Sequence, residues 1–321
     1  MAIRLGIVGT GKISAQLCDA SKATPEFTLA ALLSRDVDRG AAFAAENGIP
    51  AVYTDESAFL AAVDAVYIAT PNRFHAGGAI RALRAGKHVL CEKPIATSRA
   101  EFAEMEAAAK ESGRILLEGM RPLHDPIFAL LREYLPRLGK LRQANIVYCQ
   151  YSSRYDAYRR GEVLRAFDPS YKNAAIMDIG IYAAAVAAAL FGAPQAVAAH
   201  SVFLPNGFEG CGEALLSYPD LPVTLSYSKV TEAVLPSVFY GEDGALTVDK
   251  LSAPREIVYY PRGGMPERLP YTPAENNMVH ELSTFAALIA AGEAAHPYLT
   301  VSRDTVGIAE DVCAAAGIEF E

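Results

Sequence analysis

The stretch Asp64–Pro94, DAVYIATPNRFHAGGAIRALRAGKHVLCEKP, decides the fold. It holds two short apolar runs, Ala65 to Ala69 and His88 to Cys91, with a helix-compatible segment, Ala76 to Ala85, between them. Runs of four or five residues bounded by turn formers are strands, and continuous apolarity marks strands buried on both faces. The stretch is therefore a strand, a crossover helix and a second parallel strand. In open sheets of this kind ligands bind outside the carboxyl ends of the strands. Thr70, Pro71, Asn72 and His75 follow the first run and Glu92-Lys93-Pro94 follows the second, so both groups face the ligand crevice. A lysine held there beside a dinucleotide can polarise a hydroxyl or carbonyl undergoing hydride transfer.

The amino-terminal segment supplies the other half of that site. Ile3 to Val8 is an apolar run, followed at once by Gly9-Thr10-Gly11-Lys12-Ile13-Ser14 and a helical segment. Gly9 allows a tight turn, Gly11 lets the backbone approach a pyrophosphate, and the following helix presents unpaired N–H groups to the anion. Ser14 stands where a third glycine would be, small enough for close packing of helix on strand. After the next strand, Phe27 to Leu33, the chain reads Ser34-Arg35-Asp36. An acidic group would accept from a ribose 2'-hydroxyl, whereas Arg35 suits a 2'-phosphate, so NADP(H) is favoured, with Asp36 leaving NAD(H) open.

Helical segments Val37 to Asn47 and Arg99 to Glu111 and the strand Ile115 to Glu118 continue the alternation, giving an α/β dinucleotide-binding domain over residues 1–120 with a doubly wound parallel sheet. From Leu141 the pattern changes. Strand-like runs follow one another (142–151, 195–204, 213–218, 223–229, 237–240, 245–248 and 256–260), with a helix at Met177 to Phe191 between the first two. Residues 121–321 are predicted to form an α+β domain with a large, mainly antiparallel sheet, whose closing helices, Asn276 to Ala291 and Ser302 to Ala316, pack back on the first domain.

Four stretches, Gly6–Ser14 (GIVGTGKIS), Tyr67–His75 (YIATPNRFH), Gly86–Pro94 (GKHVLCEKP) and Met177–Tyr182 (MDIGIY), resemble the glucose-fructose oxidoreductase, inositol 2-dehydrogenase and rhizopine catabolism family, Gfo/Idh/MocA. The resemblance runs along the whole chain. It implies an amino-terminal Rossmann domain and a carboxyl-terminal open-faced sheet through which the chain forms a homodimer or homotetramer. It also implies Lys93 on the nicotinamide and substrate side, beside Glu92. The family usually carries Asp-x-x-x-His where this chain has Asp178 and Tyr182, similar to the branch with glucose-fructose oxidoreductase and the dimeric dihydrodiol dehydrogenases. Four positions apart on a helix, Asp178 and Tyr182 share a face. The expected catalytic group is thus Lys93, Asp178 and Tyr182, acting on a carbonyl or secondary alcohol of a sugar, polyol or cyclic diol. Two alternatives are a nucleotide-binding regulator and an NAD-dependent glycosidase. One departure stands out: many relatives have Gly-Gly shortly before the aspartate, where this chain reads Lys172-Asn173-Ala174-Ala175.

Composition sets outer bounds. A net charge of −8 and a pI near 5.4 argue against a nucleic-acid footprint. The apolar stretch Tyr182 to Phe191 is too short to span a bilayer. The first residues already form a strand rather than a signal peptide. Five cysteines without a CxxC pair or metal spacing suggest a reducing cytosol, so a cytoplasmic location and no metal are expected. His280-Glu281 begins like a zinc-protease helix, yet the fifth position is Thr284 and the motif fails. Arg121 and His124, near the domain junction, and Tyr155, within the Tyr- and Arg-rich stretch Tyr148 to Arg160, are the candidates for substrate contact.

Overall fold

A computed structural model describes residues 2–320. The chain divides into two compact units, Met1–Arg121 with Ala274–Thr300, and Pro122–Pro273 with Val301–Glu321.

The first unit carries β1 (Ile3–Val8), α1 (Lys12–Ser21), β2 (Phe27–Leu33), α2 (Val37–Asn47), β3 (Val52–Tyr53), α3 (Glu56–Ala61), β4 (Ala65–Ile68), α4 (His75–Arg84), β5 (His88–Glu92), α5 (Arg99–Ser112) and β6 (Leu116–Gly119). Its six strands pair in the order β3-β2-β1-β4-β5-β6, all parallel. The direction of winding reverses between β1 and β4, which opens the ligand crevice at their carboxyl ends. Every residue of β4 is buried, as its unbroken apolarity requires. Local signals set the helix ends. Asp36 caps α2 by accepting from Arg39 N at 3.0 Å. Ser98 caps α5 from Glu101 N, and Glu101 reaches back to Thr97 N at 2.9 Å.

The second unit holds α6 (Arg121–His124, its first residue in unit one), α7 (Pro126–Tyr134), β7 (Leu141–Cys149), α8 (Tyr155–Arg159), α9 (Ile181–Phe191), β8 (Ala196–Phe203), β9 (Glu209–Tyr218), β10 (Leu221–Ser228), β11 (Ser237–Gly241), β12 (Gly244–Val248), β13 (Ile257–Pro261) and β14 (Glu267–Arg268). These strands form one sheet, β14-β13-β12-β11-β7-β10-β9-β8. All neighbours are antiparallel except β7 and β10, which run parallel because the chain between them passes through α8, α9 and a hairpin. One face alternates inward, with Ile146 and Tyr148 of β7 and Leu225 and Tyr227 of β10 buried, and α9 packs on these two strands. All of Ile181 to Ala188 is buried, and the alanines let backbone and sheet approach closely.

The chain returns to the first unit for α10 (Met278–Ala291); α11 (Pro297–Ala316) follows, its residues from Val301 in the second unit. Met278, Leu282 and Phe285 join Leu5, Ile7 and Leu17 in one core, and Phe285 stacks on Phe27 at 5.8 Å, worth about 0.5–1.5 kcal/mol beyond area burial.

Three findings depart from the expected elements. The helix expected at Met177 starts as a π-helical turn, Ile176–Gly180, and becomes α-helical at Ile181. β9 begins at Glu209, four residues earlier than its apolar pattern, because Gly210 and Gly212 carry no side chain to display one. β3 and β14, two residues each, are too short to leave a pattern.

Candidate active site

In the first unit, the turn after β1 has the shape a diphosphate needs. Gly9 has φ 118°, and a Cβ there would lie 2.5 Å from the carbonyl oxygen of Ala69, so only glycine lets β1 and β4 end this close. Gly11 caps α1 with its backbone, and the position its Cβ would take faces open space. Thr10 and Ile13 are half-buried and Lys12 is exposed. Two buried hydroxyls have no hydrogen-bond partner: Ser14 Oγ, 3.6 Å from that Gly9 Cβ position, and Thr70 Oγ1 at the end of β4. An orphaned buried hydroxyl in the first turn of α1, with a second at the end of the neighbouring strand, fits a polar, anionic ligand there. At the end of β2, Ser34 Oγ donates to Asp36 O at 2.7 Å, while the Asp36 carboxylate is taken up by the α2 cap instead of turning toward a ribose. Arg35 is exposed, and so is Arg39 one helical turn on, a second cation not anticipated from the sequence.

Pro71, Asn72 and Lys93 are half-buried at the ends of β4 and β5. His75 and Glu92 lie deeper than expected. His75 is 1 % exposed, with Nδ1 2.8 Å from Pro94 O and Nε2 2.7 Å from Thr70 O. Its ring nitrogens are committed to the two loops, so it holds them together and offers no nitrogen to a cofactor. Two carbonyl acceptors favour its proton, yet burial is the larger effect and lowers its pKa. Glu92, 6 % exposed, points inward and accepts a 2.5 Å hydrogen bond from Tyr67, whose own pKa burial pushes well up. Arg121 reaches back over α1 and α10, donating to Gln16 Oε1 at 2.9 Å and lying 3.2 Å from the sulfur of Met278.

In the second unit, Asp178 and Tyr182 stand over the adjacent strands β10 and β7. Asp178 pairs at 2.8 Å with Lys229, whose side chain is 2 % exposed. The Lys229 ammonium also donates to Ala166 O at 2.6 Å and sits over the rings of Phe167 and Phe208, 4.8 and 5.0 Å away. Tyr182, 8 % exposed, packs edge-on against Tyr148 at 5.2 Å. The turn carrying Asp178 is pinned from below: Glu209, 1 % exposed, accepts from Ile176 N at 2.8 Å and from Ser201 Oγ at 2.8 Å, while burial pushes its pKa up against these bonds. A Cβ on Gly180 would lie 2.8 Å from the ring of Tyr227, so glycine is what lets the π turn rest on β10. Tyr155 belongs to an aromatic cluster with Tyr151, Tyr158 and Phe167, at centroid distances of 5.5 to 5.9 Å. His124 is half-buried at the end of α6.

Lys229 and Glu209 left no sign of a site role in the sequence, and Glu281 stands there only in the failed His280-Glu281 motif. Lys229 ends an apolar strand, where a charge reads as the start of a loop. Glu281 did leave a signal, since Met278, Glu281, Leu282 and Phe285 have the spacing of one helix face. Among the described residues no group of three or more His, Cys, Asp or Glu could hold a metal ion, and no helix is long and apolar enough to cross a membrane.

A dinucleotide-binding unit followed by an open-sheet unit defines an NAD(P)-dependent oxidoreductase. The family described as "Oxidoreductase family, NAD-binding Rossmann fold" matches residues 3–120, and the GFO/IDH/MocA C-terminal domain matches residues 135–247. The chain belongs to the GFO/IDH/MocA oxidoreductases. It is 37% identical over 320 residues to the uncharacterized oxidoreductase YgjR of Escherichia coli K12, covering 99% of this chain and 98% of the relative. It is 36% identical over 322 residues to the scyllo-inositol 2-dehydrogenase (NADP(+)) IolU of Bacillus subtilis 168, at the same coverage. Among solved structures, KijD10, a 3-ketoreductase from Actinomadura kijaniata in complex with NADP and TDP-benzene, superposes with a TM-score of 0.87 at 25% identity over 98% of both chains.

Proposed function

We propose that the protein prefers NADP(H) and interconverts a secondary alcohol and a carbonyl on a polyol, sugar or cyclic diol. The observation that supports the cofactor preference is Ser34-Arg35 at the end of β2, with Arg39 beside it and Asp36 withdrawn into the α2 cap. The similarity to a scyllo-inositol 2-dehydrogenase over nearly the whole chain supports a cyclic polyol as the first substrate to try.

When bound, the nicotinamide supplies the hydride donor or acceptor. Gly9, Thr10, Gly11, Lys12 and Ile13 would hold the diphosphate of the cofactor, with the unbonded hydroxyls of Ser14 and Thr70 available to it. Thr70, Pro71 and Asn72 form the edge of the nicotinamide half, held by His75. Lys93 polarises the substrate oxygen. Tyr182 gives or takes the hydroxyl proton, its ring fixed by Tyr148. Asp178, oriented by Lys229, binds a neighbouring substrate hydroxyl. Arg121, His124 and Tyr155 are secondary candidates for substrate contact.

The outer face of the second sheet exposes Val202, Leu215, Tyr240 and Tyr260 by 40 to 55 %. We propose that this apolar face is where a homodimer or homotetramer forms.

The test pairs binding with chemistry. Lys93→Met should bind NADPH as the parent does, by fluorescence, and lose most single-turnover hydride transfer to a ketoinositol, with Lys93→Arg giving no rescue. Hydride transfer at the parent rate would reduce Glu92-Lys93-Pro94 to a structural turn.

A further inference from the structure

Glu281 has no part in the scheme above. It sits in the first turn of α10, on the face that carries Met278, Leu282 and Phe285 into the core, at 0 % exposure, and neither carboxyl oxygen has a hydrogen-bond partner. A buried carboxyl with nothing to bond is least costly as the neutral acid. A second acid lies beside it. A Cβ placed on Gly119 would be 3.5 Å from Glu92 Oε1 and 3.6 Å from Glu281 Oε2, so the two carboxyls close around the space left by a missing side chain. Glu92, unlike Glu281, is bonded, by the Tyr67 hydroxyl. The two neighbouring acids thus differ in their surroundings: one is hydrogen-bonded, and the other is buried with nothing to bond.

We propose that Glu281 is held as a neutral acid beside Glu92, and that it acts as a positioning residue for the Lys93 turn by adding no buried charge behind that turn. The groups facing the pair agree. Burial first, and Glu92 second, push the Glu281 carboxyl up to about 8, with the Arg121 guanidinium opposing. Tyr67 faces both acids from β4, His75 faces Glu92 from α4, and α1, packed on α10, brings the uncharged Gln16 that Arg121 bonds. Because the folded carboxyl holds its proton to a higher pH than an unfolded glutamate, near 4.3, stability falls as pH rises from about 4.3 to about 8 and then levels. Above that range the ionised Glu281 carboxylate is a buried charge next to Glu92, one residue before Lys93.

The consequence for turnover rests on the reading of Lys93 as the polarising group; the proton itself does not. Infrared spectra of the holoenzyme at pH 7 should show the carbonyl stretch of a protonated carboxylic acid, absent in Glu281→Gln, with Glu281→Leu as the second variant should glutamine disturb folding. Parent melting temperature should drop between pH 6 and pH 9 by several degrees more than that of either variant. The pH profile of kcat should show an ionisation near 8, an about tenfold fall in the neutral form from pH 7 to pH 9, that Glu281→Gln lacks. A band that persists in both variants, or an unchanged pH dependence of melting, overturns the neutral acid. A lost band with an unaltered kcat profile overturns the positioning role. An active Lys93→Met variant would sink the proposed catalytic role of Lys93 while leaving the infrared result standing.

Discussion

Asp178→Ala tests whether the ion pair in the second unit is a pre-set support for the candidate catalytic turn. At 2.8 Å and an effective dielectric near 20, the attraction between Asp178 and Lys229 is about 6 kcal/mol before desolvation. Stripping water from the Lys229 ammonium offsets several kcal/mol of that. With Asp178 gone, the ammonium keeps Ala166 O and two ring faces, none of which carries a full charge. Breaking a buried pair this way costs about 3–5 kcal/mol in fully buried cases. Asp178 is 38 % exposed, so water partly screens the pair, and about 2–3 kcal/mol is the expected loss. At about 2–4 °C per kcal/mol for a domain of this size class, melting should fall by about 5–10 °C. Lys229→Met keeps the buried stem while the partly exposed Asp178 stays in reach of water, so it should lose about 1 kcal/mol or less. The double variant should match Lys229→Met, giving a coupling equal to the Asp178→Ala loss, about 2–3 kcal/mol, in urea titrations. Additive single losses, or an Asp178→Ala protein as stable as the parent, would refute the reasoning.

Two further outcomes bear on chemistry. Arg35→Ala should weaken NADP(H) binding about ten- to a hundredfold and spare NAD(H), measured by titration with both cofactors; equal losses would show that Arg35 faces solvent in the complex. Tyr182→Phe keeps the ring against Tyr148 and removes the hydroxyl, so kcat should fall by about 10² to 10⁴ with cofactor affinity retained, whereas near-parent turnover would make Tyr182 a packing residue.

The strand ends of the first sheet were legible because parallel strands announce themselves as short apolar runs and their ligand edge follows from topology. Gly9, Lys93 and the Ser34-Arg35 pair could be placed on that edge without a structure. What stayed hidden depended on partners distant in sequence. The sequence places His75 on the cofactor edge, and only the fold shows that Thr70 O and Pro94 O take both its ring nitrogens. Lys229 joins Asp178 across 51 positions of chain, and Glu209 reaches Ile176 from the start of a strand whose glycines concealed it. Helical spacing placed Asp178 and Tyr182 on one face, but the intervening π turn, resting on Tyr227 through Gly180, is set by tertiary packing.

The discontinuity of the first unit bears on how the protein is made. Its core is closed by Met278, Leu282 and Phe285, more than 150 residues after β6. A ribosome adding about 5–20 residues per second therefore leaves the nucleotide-binding half without its last apolar layer for roughly ten to thirty seconds after β6 has emerged. During that interval Leu17 and Phe27 lack their α10 partners. A fragment ending at residue 120 would remain in that condition permanently, so a separately expressed dinucleotide-binding half needs the α10 segment joined to it, and nascent chains stalled before α10 should present this apolar surface to chaperones.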